Sequence, residues 1–334
     1  MTNLETRPTE VVCQAEQAHG IEIIGPRDVP LGGPRAMTVR RTLPARGRSL
    51  IGAWCFLDHY GPDDVSVTGG MKVAPHPHIG LQTVSWLFTG EIEHRDSAGN
   101  HAMVRPGEVN LMTGGFGISH SEISTDVTPV LHGAQLWVAL PDAARDTAPG
   151  FQHYAPDPVT GDGWSARVFL GSALGSTSPV AAFTPLLGVE VSLDAGTTLA
   201  VPVDPAFEHG ILIDAGAVTV DGVPVGKDAL AYLPTGASTR TLTATERTRL
   251  LLLGGPPFGE SIVMWWNFVG RSHEEIVAYR DAWQAQITAD SASGEVVADA
   301  QDVAEGRFGR VLGDHLPPIP APPLPTNVRL RSRG

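Results

Sequence analysis

Gly70-Met71-Lys72-Val73-Ala74-Pro75-His76-Pro77-His78 and Gly114-Gly115-Phe116-Gly117-Ile118-Ser119-His120-Ser121-Glu122 are the two stretches from which the rest of the chain is read. Side chains on a β-strand point alternately to opposite faces, so His76 and His78 share one face of their strand, and His120 and Glu122 share one face of theirs. If the two strands meet inside a barrel, three imidazoles and one carboxylate converge as candidate metal ligands. Pro77 has no N–H to give to a sheet ladder, which places the first pair at a strand start, an edge or a bulge. The glycines before the second pair let the backbone pass close to something bulky. Imidazole and carboxylate donors suit iron, nickel, manganese, cobalt, copper or zinc, and no nearby cysteine offers a thiolate. The competing reading is a set of structural histidines satisfied by hydrogen bonds. Four protein ligands leave two exchangeable positions on an octahedral metal. A carboxylate that is one of four can also loosen and accept a proton, so Glu122 is the candidate catalytic base.

Outward from these stretches the chain reads as short strands separated by turns. Ile21-Glu22-Ile23-Ile24 is expected as a first strand, residues 37–44 and 50–62 as two more, and 81–88 as an apolar, β-branched run. Residues 91–94 and 101–104 flank the turn Asp96-Ser97-Ala98-Gly99-Asn100 as a hairpin, and 109–112 and 130–140 complete a first barrel over residues 21–145. Residues 146–165 turn to Pro, Asp, Ala and Gly, the composition of a linker. A second set of short strands spans 166–270, and Gly216-Ala217-Val218-Thr219-Val220-Asp221-Gly222 has the same shape as the Gly90 segment, a weak internal repeat. The expectation is an all-β chain of two related antiparallel barrels in tandem.

Three further segments complete the organisation. Residues 1–20 are polar and aperiodic, a flexible leader. Ser272-His273-Glu274-Glu275 fits a capping box opening a helix over 271–290, whose Ile276, Tyr279, Trp283 and Ile287 form an apolar docking stripe. Residues 291–334 form a tail, and within it 316–325 alternates prolines with small or apolar residues as extended chain that lies across a neighbour or stays mobile.

Composition excludes several classes. Among 334 residues, 36 acidic and 23 basic side chains give a net charge of −13, which repels phosphate backbones and disfavours direct nucleic-acid binding. Cys13 and Cys55, the only two cysteines, make no disulfide framework, which fits a reducing cytoplasm. No apolar run reaches the roughly 18 residues of a membrane span, so no membrane partner is expected. Arg40, Arg41, Arg46 and Arg48 read as a solvated face with carboxylate partners.

In combination, several motifs resemble the pirins of the cupin superfamily. They are Val39-Arg40-Arg41, Leu57-Asp58-His59-Tyr60-Gly61-Pro62, His76-Pro77-His78-Ile79-Gly80-Leu81-Gln82-Thr83-Val84, Gly90-Glu91-Ile92-Glu93-His94-Arg95-Asp96-Ser97 and Gly117-Ile118-Ser119-His120-Ser121-Glu122. Leu252-Leu253-Gly254-Gly255-Pro256-Pro257 and residues 272–279 are similar to the second domain and closing helix of that family. The resemblance covers roughly residues 21–285. It implies a bicupin of jelly-roll type, with one divalent metal, usually Fe(II), at the positions of His76, His78, His120 and Glu122. It also implies one of two activities. The first is quercetin 2,3-dioxygenase chemistry on a flavonol with dioxygen, in which Glu122 takes the proton of the 3-hydroxyl. The alternative is a metal- and redox-sensing regulatory protein that binds a transcription factor or a metabolic enzyme.

Ile79, Leu81 and Gln82 stand where family members commonly carry an arginine, an aromatic and a glutamate, so a more apolar surround with one charge fewer is expected. Glu208 and His209 are adjacent and hence on opposite faces, so no metal is expected in the second barrel. His94 and His101 are expected to pair across their hairpin or face water, and His59, His132, His153 and His273 to have no ligand role. Trp265 and Trp266 read as packing residues, while Trp54, Phe56 and Met112 are possible pocket walls.

Overall fold

A computed structural model describes residues 20–31, 37–293, 306–326 and 328–332. Residues 1–19 of the proposed leader, Cys13 among them, lie outside the described residues. The chain builds the same plan twice, a seven-stranded sheet with a four-stranded sheet, all pairings within them antiparallel. In the N-terminal domain the large sheet runs Gly150–Tyr154, Val109–Thr113, Leu81–Thr89, Val130–Ala139, Trp54–Asp64, Met37–Leu43, Arg27–Leu31. The small sheet runs Lys72–His78, Ile118–Ser124, Ile92–Asp96, His101–Val104. In the C-terminal domain the large sheet runs Glu22–Ile24, Leu230–Leu233, Glu208–Ala215, Thr248–Gly255, Leu187–Leu193, Trp164–Leu170, Val159–Gly161. Its small sheet runs Thr198–Pro202, Thr239–Ala244, Val218–Val220, Val223–Val225.

Two boundaries differ from those expected. Glu22–Ile24, placed by sequence in the N-terminal barrel, pairs with Leu230–Leu233 at the edge of the C-terminal sheet. The stretch 146–165 is not a bare linker: Gly150–Tyr154 extends the N-terminal sheet against Val109–Thr113, and Val159–Gly161 hairpins onto Trp164–Leu170. Short edge strands carry no sequence mark of the partner they will find, since any backbone edge offers the same donors and acceptors.

The domains meet through their large sheets. Trp54, Val84, Trp86, Leu111 and Leu136 share one buried cluster with Phe169, Leu212, Leu251 and Leu253. Trp86 stacks on Phe169 at 4.6 Å and donates its indole N–H to Glu190, while Trp54 donates to the Gly254 carbonyl. Trp54 is thus a residue of the domain junction. Because this face is covered, Leu81–Thr89 is buried on both sides up to Phe88: Val84, Trp86 and Phe88 enter the junction cluster, and Ser85 points the other way, toward Glu122.

Helix His273–Ser293 opens as expected, with the Glu275 N–H donating to the Ser272 hydroxyl. The reciprocal half differs by one residue: the Glu275 carboxylate accepts from the Arg271 N–H and also pairs with Arg145. Ile276, Tyr279, Trp283 and Ile287 are buried together with Trp265, Trp266, Phe268 and Phe308. The described part of the tail packs on its own chain: the Ile319 N–H donates to the Pro75 carbonyl, the Trp283 indole N–H to the Ile319 carbonyl, and the Leu330 N–H to His273 Nδ1. Its prolines hold it extended, and the Trp283 and Pro75 partners fix where it lies.

Candidate metal centre

The small sheet of the N-terminal domain positions the site. Lys72–His78 is its edge strand, which is where Pro77 costs no ladder hydrogen bond. His76 stands opposite His120 in the register and His78 opposite Ile118. The register then slips, with Glu122 opposite Val73, so Lys72–His78 carries one extra residue between the two pairings. The approach to His120 needs its glycines for a reason other than a metal. At Gly115 (φ +52°) a Cβ would lie 2.0 Å from the Thr147 carbonyl, and at Gly117 (φ +145°) 2.9 Å from the Arg307 carbonyl. The bulky neighbours are a loop and the C-terminal tail.

His76, His78 and His120 bring one ring nitrogen each within 4.8 Å of one another, with ring centroids 4.3–5.0 Å apart. Glu122 joins them through His120, in a second group of ligand atoms equally close that also includes His94. All four expected residues are buried, the histidines completely. The His76 Nδ1–H donates to the Ala74 carbonyl at 2.9 Å, leaving Nε2 as a bare acceptor. His76 Nε2 and His120 Nε2 are buried without a hydrogen-bond partner, and His78 has only the Asn267 backbone beside its ring. Burial pushes the His76 imidazole down to about 3, and His78 and His120 well below the usual histidine range, so all three stay neutral with lone pairs exposed to the centre. Orphaned buried acceptors are costly, and a cation at this point removes the cost. The donor set therefore fits a divalent metal.

Neighbours hold these side chains in place. Trp137 packs its ring edge-on to His78 at 5.1 Å, Phe56 stacks on Trp137 at 4.0 Å, and the Arg41 guanidinium lies 4.3 Å over Phe56. Arg41 is itself buried and bound through two nitrogens to Asp58 at 2.7 and 2.8 Å, so it is no member of a solvated face. The Ser85 hydroxyl lies 3.4 Å from Glu122 Oε1 and 2.9 Å from Gln135 Oε1. Burial, with the Glu122 and Asp58 carboxylates nearby, pushes the Tyr60 phenol well above its usual value and keeps it protonated.

The sequence reading missed two things. His94 does not face water: it is buried against His120, Nδ1 to Nδ1 at 3.4 Å, and against the Phe151 ring at 4.9 Å. His101 does pair across the hairpin, with Glu93 at 2.7 Å. The second omission is a cluster at the domain junction. His59 Nε2 and His132 Nε2 lie 2.7 and 2.5 Å from Asp214 Oδ1, and Arg249 binds Asp214 Oδ2 at 2.6 Å. His59 Nδ1 faces Asp228 at 3.1 Å, and Arg40 pairs with the same carboxylate at 3.1 Å. Ligands of one metal at bond lengths of about 2.0–2.1 Å sit about 2.9 Å or more apart, so the shorter Asp214 contacts are those of a direct ionic hub. His153 bonds Asn110, and His273 anchors the tail.

With the geometry in view, the chain can be placed among known proteins. Residues 36–138 match the family model described as Pirin, and residues 188–288 match the Pirin C-terminal cupin domain. The chain belongs to the pirin family. A Pseudomonas aeruginosa protein named "Putative quercetin 2,3-dioxygenase" is 40% identical over 317 residues, 95% of this chain and 94% of that protein. A Caulobacter vibrioides "Pirin-like protein" is 38% identical over 256 residues, 74% of this chain and 88% of the relative. The crystal structure of a quercetin 2,3-dioxygenase from Acinetobacter baumannii superposes with a TM-score of 0.82 at 37% identity, covering 93% of this chain and 98% of that one. The bicupin expected from the motifs is therefore the pirin fold. No helix among the described residues is long and apolar enough to cross a membrane.

Proposed function

We propose that this pirin is a metal-dependent dioxygenase that opens quercetin-type flavonols with dioxygen, with His76, His78, His120 and Glu122 holding one divalent metal, Fe(II) by preference. The observation that carries the reading is the set of fully buried, neutral imidazoles whose centre-facing nitrogens have no partner, beside Glu122. The names of the Pseudomonas and Acinetobacter relatives, similar over nearly the whole chain, support the substrate class. When bound, iron supplies a Lewis-acidic centre capable of one-electron redox change. The protein supplies the rest. Glu122 takes the proton of the flavonol 3-hydroxyl, and Ser85 and Tyr60 set the polarity around its carboxylate. Burial of the ligands excludes bulk water, and Trp137 fixes the ring plane of His78.

Complete burial of the four side chains also favours a second reading, a regulatory protein whose metal senses redox state while a protein partner binds outside. Oxygen consumption with quercetin by the protein reconstituted anaerobically with ferrous iron separates the two. Uptake that falls at least about 100-fold in both His76→Ala and Glu122→Ala is expected for the enzyme. No uptake by wild-type protein carrying one iron per chain rejects the flavonol reading in favour of the regulatory one.

A further inference from the structure

His94, Asp96 and Asn100 belong to one hairpin that lies against His120. His94 and Asp96 are two apart on Ile92–Asp96 and share a face. In the register Asp96 stands opposite His120, and His94 opposite Glu122. Both are buried.

Asp96 Oδ1 accepts the Ala98 N–H, the Asn100 N–H and the Asn100 side-chain amide at 2.9, 3.0 and 3.0 Å. Its Oδ2 accepts from the same amide at 2.9 Å and lies 3.3 Å from His94 Nε2. A carboxylate so placed only accepts, so the His94 proton is on Nε2 and its Nδ1 is an acceptor. That Nδ1 is 3.4 Å from His120 Nδ1, which therefore carries the proton and donates it. His120 is left with a bare, unpartnered Nε2. His76 reaches the same state by a shorter route, through the Ala74 carbonyl.

We infer that His94 and Asp96, locked by the Asn100 turn, are positioning residues that set the tautomer and ring plane of His120 for metal binding through Nε2. The inference rests on the metal reading above and deepens it. It gives a task to a turn that looks in sequence like any hairpin loop, since the side chains that close the turn also hold the carboxylate in place. The backbone next to it is tied down as well: the Ser97 hydroxyl donates to the Phe308 carbonyl and accepts the Ser119 N–H. Outer hydrogen bonds of this kind typically change metal affinity 10–100-fold.

Asp96→Asn makes the test sharp. The Ala98 and Asn100 N–H groups keep the amide oxygen at the Oδ1 position, where the Asn100 amide retains one of its two acceptors, so the new NH2 group faces His94 Nε2. His94 must then move its proton to Nδ1, and two N–H groups would meet at His120 unless it too changes tautomer. The experiment uses the full chain free of metal, as wild type, Asp96→Asn and His94→Leu. Nitrogen-15 shifts of the imidazoles report the tautomers, and a cobalt(II) titration reports affinity, with the thermal midpoint of each metal-free protein as the check on folding. Expected are a His120 protonated on Nδ1 in the wild type and on Nε2 in Asp96→Asn, and cobalt affinity lowered about 10–100-fold in both folded variants. His120 protonated on Nε2 in the wild type, or undiminished cobalt affinity in both variants, overturns this proposal alone. A wild type that takes up no cobalt while showing the expected tautomers overturns the metal reading and this proposal with it.

Discussion

Asp214 shows what a single buried charge does at the domain junction. Burial raises its carboxyl, but hydrogen bonds from His132 and His59 and the Arg249 guanidinium outweigh that and hold it far below the usual carboxylate range. A folded-state value below the unfolded one means that the stabilisation is fully present above the unfolded value, about 3.9, and is lost as pH falls toward the folded one. Asp214→Asn leaves Arg249 and two imidazoles without their anion. The expected cost at pH 7 is about 3–5 kcal/mol in urea unfolding, narrowing below about pH 4 as the wild type loses its own advantage. A difference that is independent of pH down to pH 3 contradicts this account. The same residue scale explains why His94 was misread. Its position beside a turn suggests solvent, and the signal that pointed inward was Asp96 two residues on, on the face that also meets His120.

Among the elements, the C-terminal tail is the least expected contributor. Residues 306–309 reach the strand that carries His120: the Ser119 hydroxyl donates to the Gly309 carbonyl, the Gln286 amide holds the same carbonyl, and Phe308 is fully buried against Trp283 and Phe268. Burying one such phenylalanine is worth about 2 kcal/mol, before the Ile319 and Leu330 contacts are counted. A chain ending at residue 305 is expected to melt at least about 4 °C lower by calorimetry and to hold its metal less tightly. An unchanged midpoint would show the tail to be peripheral. Sequence could identify residues 316–325 as extended, because proline fixes φ and removes donors, but extended chain has no periodicity to say which surface it meets, and nothing marked residues 306–309. The helix was the opposite case. Its stripe at Ile276, Tyr279, Trp283 and Ile287 named both the element and its buried face, and only the target of the Glu275 carboxylate shifted by a residue.

For the whole molecule, the two-domain β architecture and the His-x-His and His-x-Glu pairs were legible because strand alternation is local. Residues two apart share a face wherever the strand lies. The exchange of Glu22–Ile24 into the other domain's sheet and the meeting of His59, His132 and Asp214 were not legible, since each joins segments that no local pattern links. The central claim concerns the local signal: one metal, held by His76, His78, His120 and Glu122. Anomalous diffraction at the iron edge from crystals of the anaerobically reconstituted protein tests it most directly. The account predicts a single strong peak in each chain within bonding distance of the three imidazoles and the Glu122 carboxylate. A peak at the Asp214 hub instead, or no ordered peak in protein shown to carry one iron per chain, would contradict it.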